Sequence, residues 1–344
     1  MRSARRNRLA TLLAGAGFVL LGLSAFAAER KVVRRIAAGG SGGWDYALVD
    51  PAAHRLYVTR ATRVMVFDTE SGKAVGEIPD TSGVHGVALV PDLNRGFTSN
   101  GKTGTVSVFD SKTLKVLGEV KVTGEKPDAI AYDPVSKRVF TFNGGSGNAT
   151  AIDPATNKVA GTVALSGKPE FAVSDGKGTM FVNIEDKSEI VAFDARTLAV
   201  KSRWPLAPCE EPSGLAIDRA TRRLFSGCSN RMMAVVDADT GKVVATVPIG
   251  AGVDANAFDP ATRLAYSSNG DGTLTVVHED SPDKYTVVET VVTEPGARTM
   301  ALDEATHTIY LPTADFGPPP APTKENPHPR RSIVDGTFRI LVVN

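Results

Sequence analysis

Seven polar residues stand at matching places along an otherwise regular chain: Asp45, His85, Asp128, Glu170, Ser213, Asp254 and Arg298. Each precedes an apolar run, and all but Glu170 lie 12 residues before an aromatic residue; in the fourth copy, one residue shorter here, the equivalent is Glu170. Several chemistries fit such a set. Clustered carboxylates favour a hard cation such as Ca²⁺ or Mg²⁺, which takes oxygen ligands. His85 would extend the choice to Zn²⁺ or another transition metal, giving Asp128, Glu170, Asp254 and His85 as candidate metal ligands. Alternatively, Arg298 grips an anionic ligand with its guanidinium fork while His85 serves as a base or hydrogen-bond donor. In the third reading the carboxylates are solvated and some pair with Arg298.

A repeat must position these residues. The segment from Glu211 to Gly250 displays it most clearly, with four short β-rich runs separated by Gly, Asp, Asn and Pro signals. The second run of each copy carries an aromatic residue, Tyr57, Phe97, Phe140, Phe181, Phe225, Tyr266 and Tyr310, spaced 40 to 44 residues apart. A period of that length with four strands per unit is the pattern of β-propeller blades. Acids recur on the same beat, from Asp50, Asp92 and Asp133 to Asp303 after the first run, and at Asp68, Asp110, Asp153, Asp194 and Asp237 after the third. Turn acids accept backbone N–H groups and start tight loops, so these are structural.

The expected fold is therefore all-β: seven four-stranded antiparallel blades in one domain over residues 28–344. The last copy lacks a fourth strand, and the run Lys31-Val32-Val33-Arg34-Arg35-Ile36 has the composition to supply it. Pairing it beside Phe338 to Val343 would close the ring and remove two open sheet edges. Propellers bind at the channel mouth, and the seven polar residues begin the innermost strands on one face, the top. A second tier on that face comes from the ends of the second strands: Arg60, Asn100, Asn143, Asn183, Cys228, Asn269 and Thr313. Of these, Arg60 and Asn183 join the ligand-binding candidates. Asn100-Gly101, Asn143-Gly144 and Asn269-Gly270 are first of all turn dipeptides.

Tyr57-Val58-Thr59-Arg60 is close to a Tyr-Val-Thr-Asn motif, and Leu224-Phe225-Ser226, Asp239-Thr240-Gly241-Lys242-Val243 and Asp110-Ser111-Lys112-Thr113-Leu114-Lys115-Val116 look like the accompanying strand and turn repeats. Over residues 30–344 the chain thus resembles the exported YncE-like family of YVTN-repeat, seven-bladed propellers. That resemblance implies a binding or scaffolding protein. Some relatives bind single-stranded DNA, and neighbouring propeller families include lactonases and quinoprotein-associated proteins, so a metal-assisted hydrolase is the alternative. Two departures stand out, the Arg at residue 60 and a proline-rich insertion in the last blade over residues 313–337. The prolines favour extended backbone, suited to a lid, to presentation to a partner or to a plain surface insertion.

The N-terminus reads as a cleaved signal peptide over residues 1–27. Arg2, Arg5, Arg6 and Arg8 precede the apolar stretch Leu9 to Leu23, then Ala25-Phe26-Ala27. Arg5-Arg6 leaves general and twin-arginine export both open. A periplasmic or secreted monomer is expected, without a transmembrane span in the mature chain. Subtracting the four arginines of that segment from 39 basic residues leaves 35 against 38 acidic ones, which gives little support to nucleic-acid binding. In an exported compartment the two cysteines, Cys209 before one strand and Cys228 at the end of its neighbour, are placed to form a disulfide. Trp44 and Trp204 fall near top-face connections, where they would stack on a ligand or pack between blades. No nucleophile elbow, His-Glu-x-x-His or Cys-x-x-Cys motif appears, and Gly39-Gly40-Ser41-Gly42-Gly43 has no following helix to cradle a phosphate. A small molecule or a protein at the top face is the expected partner.

Overall fold

The computed structural model describes residues 29–323, 329 and 331–344. The expected signal peptide and, within the insertion, residues 324–328 and 330 lie outside the described residues. Seven four-stranded antiparallel sheets form a ring in which the innermost strand of each touches that of the next, and the first touches the seventh. The repeat seen at 211–250 becomes the fifth blade, with strands Pro212–Asp218, Arg223–Cys228, Met232–Asp237 and Val243–Pro248.

The seven aromatics are buried in the cores that glue adjacent blades together. Phe140 and Phe142 of the third blade meet Phe193 of the fourth, for example. The turn acids act as expected: Asp237 Oδ1 accepts the Asp239 and Thr240 amides at 3.0 and 2.8 Å, and Asp110 Oδ1 those of Lys112 and Thr113 at 3.0 and 2.7 Å. Ring closure also follows expectation. Strand Val32–Ala37 pairs antiparallel with Arg339–Val343, the third strand of the seventh blade, from Val32 opposite Val343 to Ala37 opposite Arg339. Among the described residues no helix is long and apolar enough to cross a membrane.

Cys209 and Cys228 are bonded, with Cα atoms 5.5 Å apart and a sequence separation of 19. A loop of that size restricts the unfolded chain by about 3 kcal/mol. Replacing both cysteines by Ala is therefore expected to lower unfolding free energy by about 3 kcal/mol. Denaturant titration of the double variant checks this, and an unchanged midpoint would refute it.

Candidate functional site at the channel mouth

In six blades the innermost strand carries one extra residue relative to its partner, just after its first residue. The register slips between Trp44 and Ala47, Val84 and Val87, Pro127 and Ile130, Pro169 and Ala172, Pro212 and Leu215, and Val253 and Ala255. Asp45, His85, Asp128, Glu170, Ser213 and Asp254 occupy these bulges. A bulge leaves a residue without a ladder partner and re-aims its side chain. This is what turns the ring residues out of the blade and toward the mouth.

The ring is not uniform. Asp45, His85 and Asp128 converge: His85 Nδ1 lies 2.6 Å from Asp45 Oδ2 and 3.5 Å from Asp128 Oδ1. Asp45 is further fixed by its backbone N–H, which donates to Thr59 Oγ1 at 3.1 Å. Gly101 makes room for the imidazole, since a Cβ there would sit 2.7 Å from His85 Nε2. The other members are tied elsewhere. Glu170 faces Lys168 Nζ at 2.8 Å, an ammonium that it shares with Glu185. Asp254 lies 3.4 Å from Arg298 Nε and accepts the Ser213 hydroxyl at 3.2 Å. The sequence-derived metal set of Asp128, Glu170, Asp254 and His85 is thus divided, with Asp45 brought into the cluster beside His85 and Asp128.

Crowded acids in a half-buried mouth perturb one another. Burial of the His85 ring opposes its protonation, but the Asp45 hydrogen bond and the charges of Asp128, Asp45 and Glu170 outweigh it and push the imidazole up to about 9. Burial pushes Asp128 up to about 6, with Asp45 and Asp254 adding to it against the pull of His85. Burial and the charge of Asp128 hold Glu170 at about 8 despite Lys168. The carboxyl groups of Asp45 and Asp128 on either side thus favour the protonated imidazole of His85.

The floor beneath the ring is aromatic. Tyr46 and Phe171 follow Asp45 and Glu170 in their bulges, and their rings meet with centroids 4.4 Å apart. They belong to the first and fourth blades, which are not neighbours in the ring, so the contact spans the channel. The corresponding residues elsewhere, Gly86, Ala129, Gly214 and Ala255, are small. That contrast was available in the sequence and marks the plug. Above it a cavity of about 750 Å³ holds Asp45, His85 and Asp128, with Lys102, Lys126 and Arg298 also lining it. Below it a second cavity of about 560 Å³ is lined mainly by apolar residues such as Leu48, Leu215 and Met300, together with Arg219, Asn256 and Glu304.

The second tier does not reach the mouth. Arg60 is fully buried, donating to the Gly39, Ser41 and Gly42 carbonyls at 3.1, 2.9 and 3.1 Å, with its guanidinium 3.7 Å from the centre of the Phe338 ring. Asn183 is buried between the fourth and fifth blades, where it donates to the Ser213 and Gly214 carbonyls and accepts from Ser226. Asn100, Asn143 and Asn269 bind hydroxyls of their own blades, such as Ser107, Thr150 and Thr275. The ends of the second strands are interior because a third strand and the next blade cover them. The partners were legible in outline, since Thr98, Thr141 and Ser267 precede these asparagines by two residues and donate to them. Trp204 stacks on Phe181 at 5.8 Å, whereas Trp44 lies against Phe316 and Phe338 beside the cavity.

No protein-family model matches the chain, and no curated protein does. Among solved structures it is similar to one described as the structure of U3-55K, with a TM-score of 0.73 and 10% identity over 92% of this chain and 98% of that one. At that identity the likeness is one of fold. It agrees with the seven-bladed ring.

Proposed function

We propose that this chain is an exported, YncE-like binding protein that takes a divalent cation, with a small polar ligand around it, at the top of its channel. The observation that carries the reading is the convergence of Asp45, His85 and Asp128, whose ligand atoms all lie within 4.8 Å of one another. Three atoms so spaced suit one ion at about 2.3–2.6 Å from each, with further positions left for water or a ligand. The cavity above them has the size of a small-molecule site. The Cys209–Cys228 bridge is in keeping with an oxidising compartment.

The cation must displace the proton that His85 holds up to about 9. Binding is therefore expected to release a proton and to tighten by about tenfold per pH unit as pH rises toward that value. Calorimetry with Ca²⁺, Mn²⁺ and Zn²⁺ in buffers of different ionisation enthalpy reads both effects. Even outer-shell changes cost metal sites about 10–100-fold, so Asp128→Asn should lose on the order of a hundredfold. A protein that gives neither heat nor proton release with any of the three ions would sink the cation reading.

A further inference from the structure

A second pocket opens on the same face between the sixth and seventh blades and the insertion. It has a volume of about 450 Å³ and adjoins the cation cavity through Gly43, Trp44 and Arg298. Its walls combine aromatic rings with guanidinium groups. The indole of Trp44 and the ring of Phe316, 6.1 Å apart and inclined at 50°, form an open aromatic corner with Ile333. Two guanidinium groups, Arg298 and Arg331, line the same space, and among the described residues no carboxylate does.

Each wall is held in place. Phe316 pairs with Ile333 through an isolated bridge and packs over Gly296, where a Cβ would come within 2.5 Å of the ring. Arg331 is clamped across the strap, its Nε donating to the Gly317 carbonyl at 2.7 Å and its Nη2 to the Phe316 carbonyl at 3.1 Å, with the guanidinium 5.8 Å from the Phe316 ring centre. Arg298 keeps its side chain 46% exposed, touching Asp254 on one side only. The decisive detail is Thr299. It lines the pocket, is 1% exposed, and its hydroxyl has no hydrogen-bond partner among the described residues. Leaving a buried hydroxyl unpaired costs about 1–3 kcal/mol, a cost that a bound polar group would remove.

We infer that this pocket binds a small aromatic carboxylate, its ring in the Trp44–Phe316 corner and its carboxylate between Arg298, Arg331 and the Thr299 hydroxyl. A flat ring satisfies the aromatic walls, and guanidinium forks match a carboxylate in both charge and shape. The inference goes beyond the cation site and does not depend on it, so it is tested in EDTA.

Trp44 is the probe. The chain has two tryptophans, and Trp204→Phe leaves Trp44 as the reporter. Benzoate is expected to change Trp44 fluorescence saturably, whereas acetate, which lacks the ring, and benzyl alcohol, which lacks the charge, are not. Arg331→Gln should weaken benzoate about tenfold and Thr299→Val about fivefold. Calorimetry of the unsubstituted chain with the same three compounds guards against any effect of the Trp204 change on folding, and should rank them alike. A benzyl alcohol response equal to that of benzoate would reduce the pocket to an apolar patch and overturn the inference. So would the absence of saturation by millimolar benzoate in both measurements.

Discussion

Removing residues 29–37 is expected to lower the stability of the whole ring by about 5 kcal/mol and its melting temperature by on the order of 10 °C. The strand Val32–Ala37 pairs antiparallel with Arg339–Val343, with one register shift between Val32 and Arg34. It also buries Ile36 against Leu56, Phe67 and Phe338 between the first and last blades. Each well-buried aliphatic side chain is worth about 2 kcal/mol and each backbone hydrogen bond about 1 kcal/mol net. Arg34 adds bonds to the Thr69 and Glu70 carbonyls of the first blade, and Arg35 meets Glu294 at 2.7 Å. The deletion would expose the edge of Arg339–Val343 as a template for pairing with another chain, so aggregation should accompany the loss. Thermal melting with light scattering checks both. An unchanged melt would mean that the ring does not depend on its closing strand.

Arg60→Ala is expected to cost about 4 kcal/mol, more than the loss of any exposed charge. The side chain lies wholly inside the protein with three carbonyls on its guanidinium and the Phe338 ring beneath it. Truncation leaves a large cavity and unpairs carbonyls of the glycine-rich segment, each with its own desolvation penalty. Burial already pulls this guanidinium down to about 10, which measures how reluctantly the charge is held there. Arg60→Lys should rescue little, because an ammonium is a single point and cannot span three acceptors held by a planar fork. Chemical denaturation of both variants decides the matter. A lysine variant as stable as the parent would show that charge alone, and not the fork, supports the segment.

The same residue illustrates what was legible in the sequence. A period carried by buried aromatics and turn acids is a consequence of packing, so the blade count, the closing strand and the disulfide follow from it. The ring at Asp45, His85 and Asp128 followed too, because a count from the aromatic is a count along the innermost strand. What that count lacks is the third dimension. Lys168 beside Glu170, and Ser213 and Arg298 on Asp254, are contacts around the mouth that no linear spacing expresses. Arg60 and Asn183 sit at the ends of second strands, and the sequence places them on the correct face but not on the correct side of the sheet. The departure from Asn at residue 60 had been visible. Its reason, a glycine-rich segment that needs a three-way donor, is a fact of tertiary structure.

The Tyr46–Phe171 contact makes the propeller a cup rather than a pipe. With an apolar stopper under the carboxylates, the field of Asp45 and Asp128 meets the rings of Tyr46 and Phe171 below rather than the water that fills the open mouth. Low-dielectric walls focus such a field outward through the open side. On the cation reading proposed above, ions would reach Asp45 and Asp128 past Lys102, Lys126 and Arg298, and added salt would screen both signs of charge on that path. Two side chains from non-adjacent blades would thus fix the side from which the proposed ligand enters without touching it.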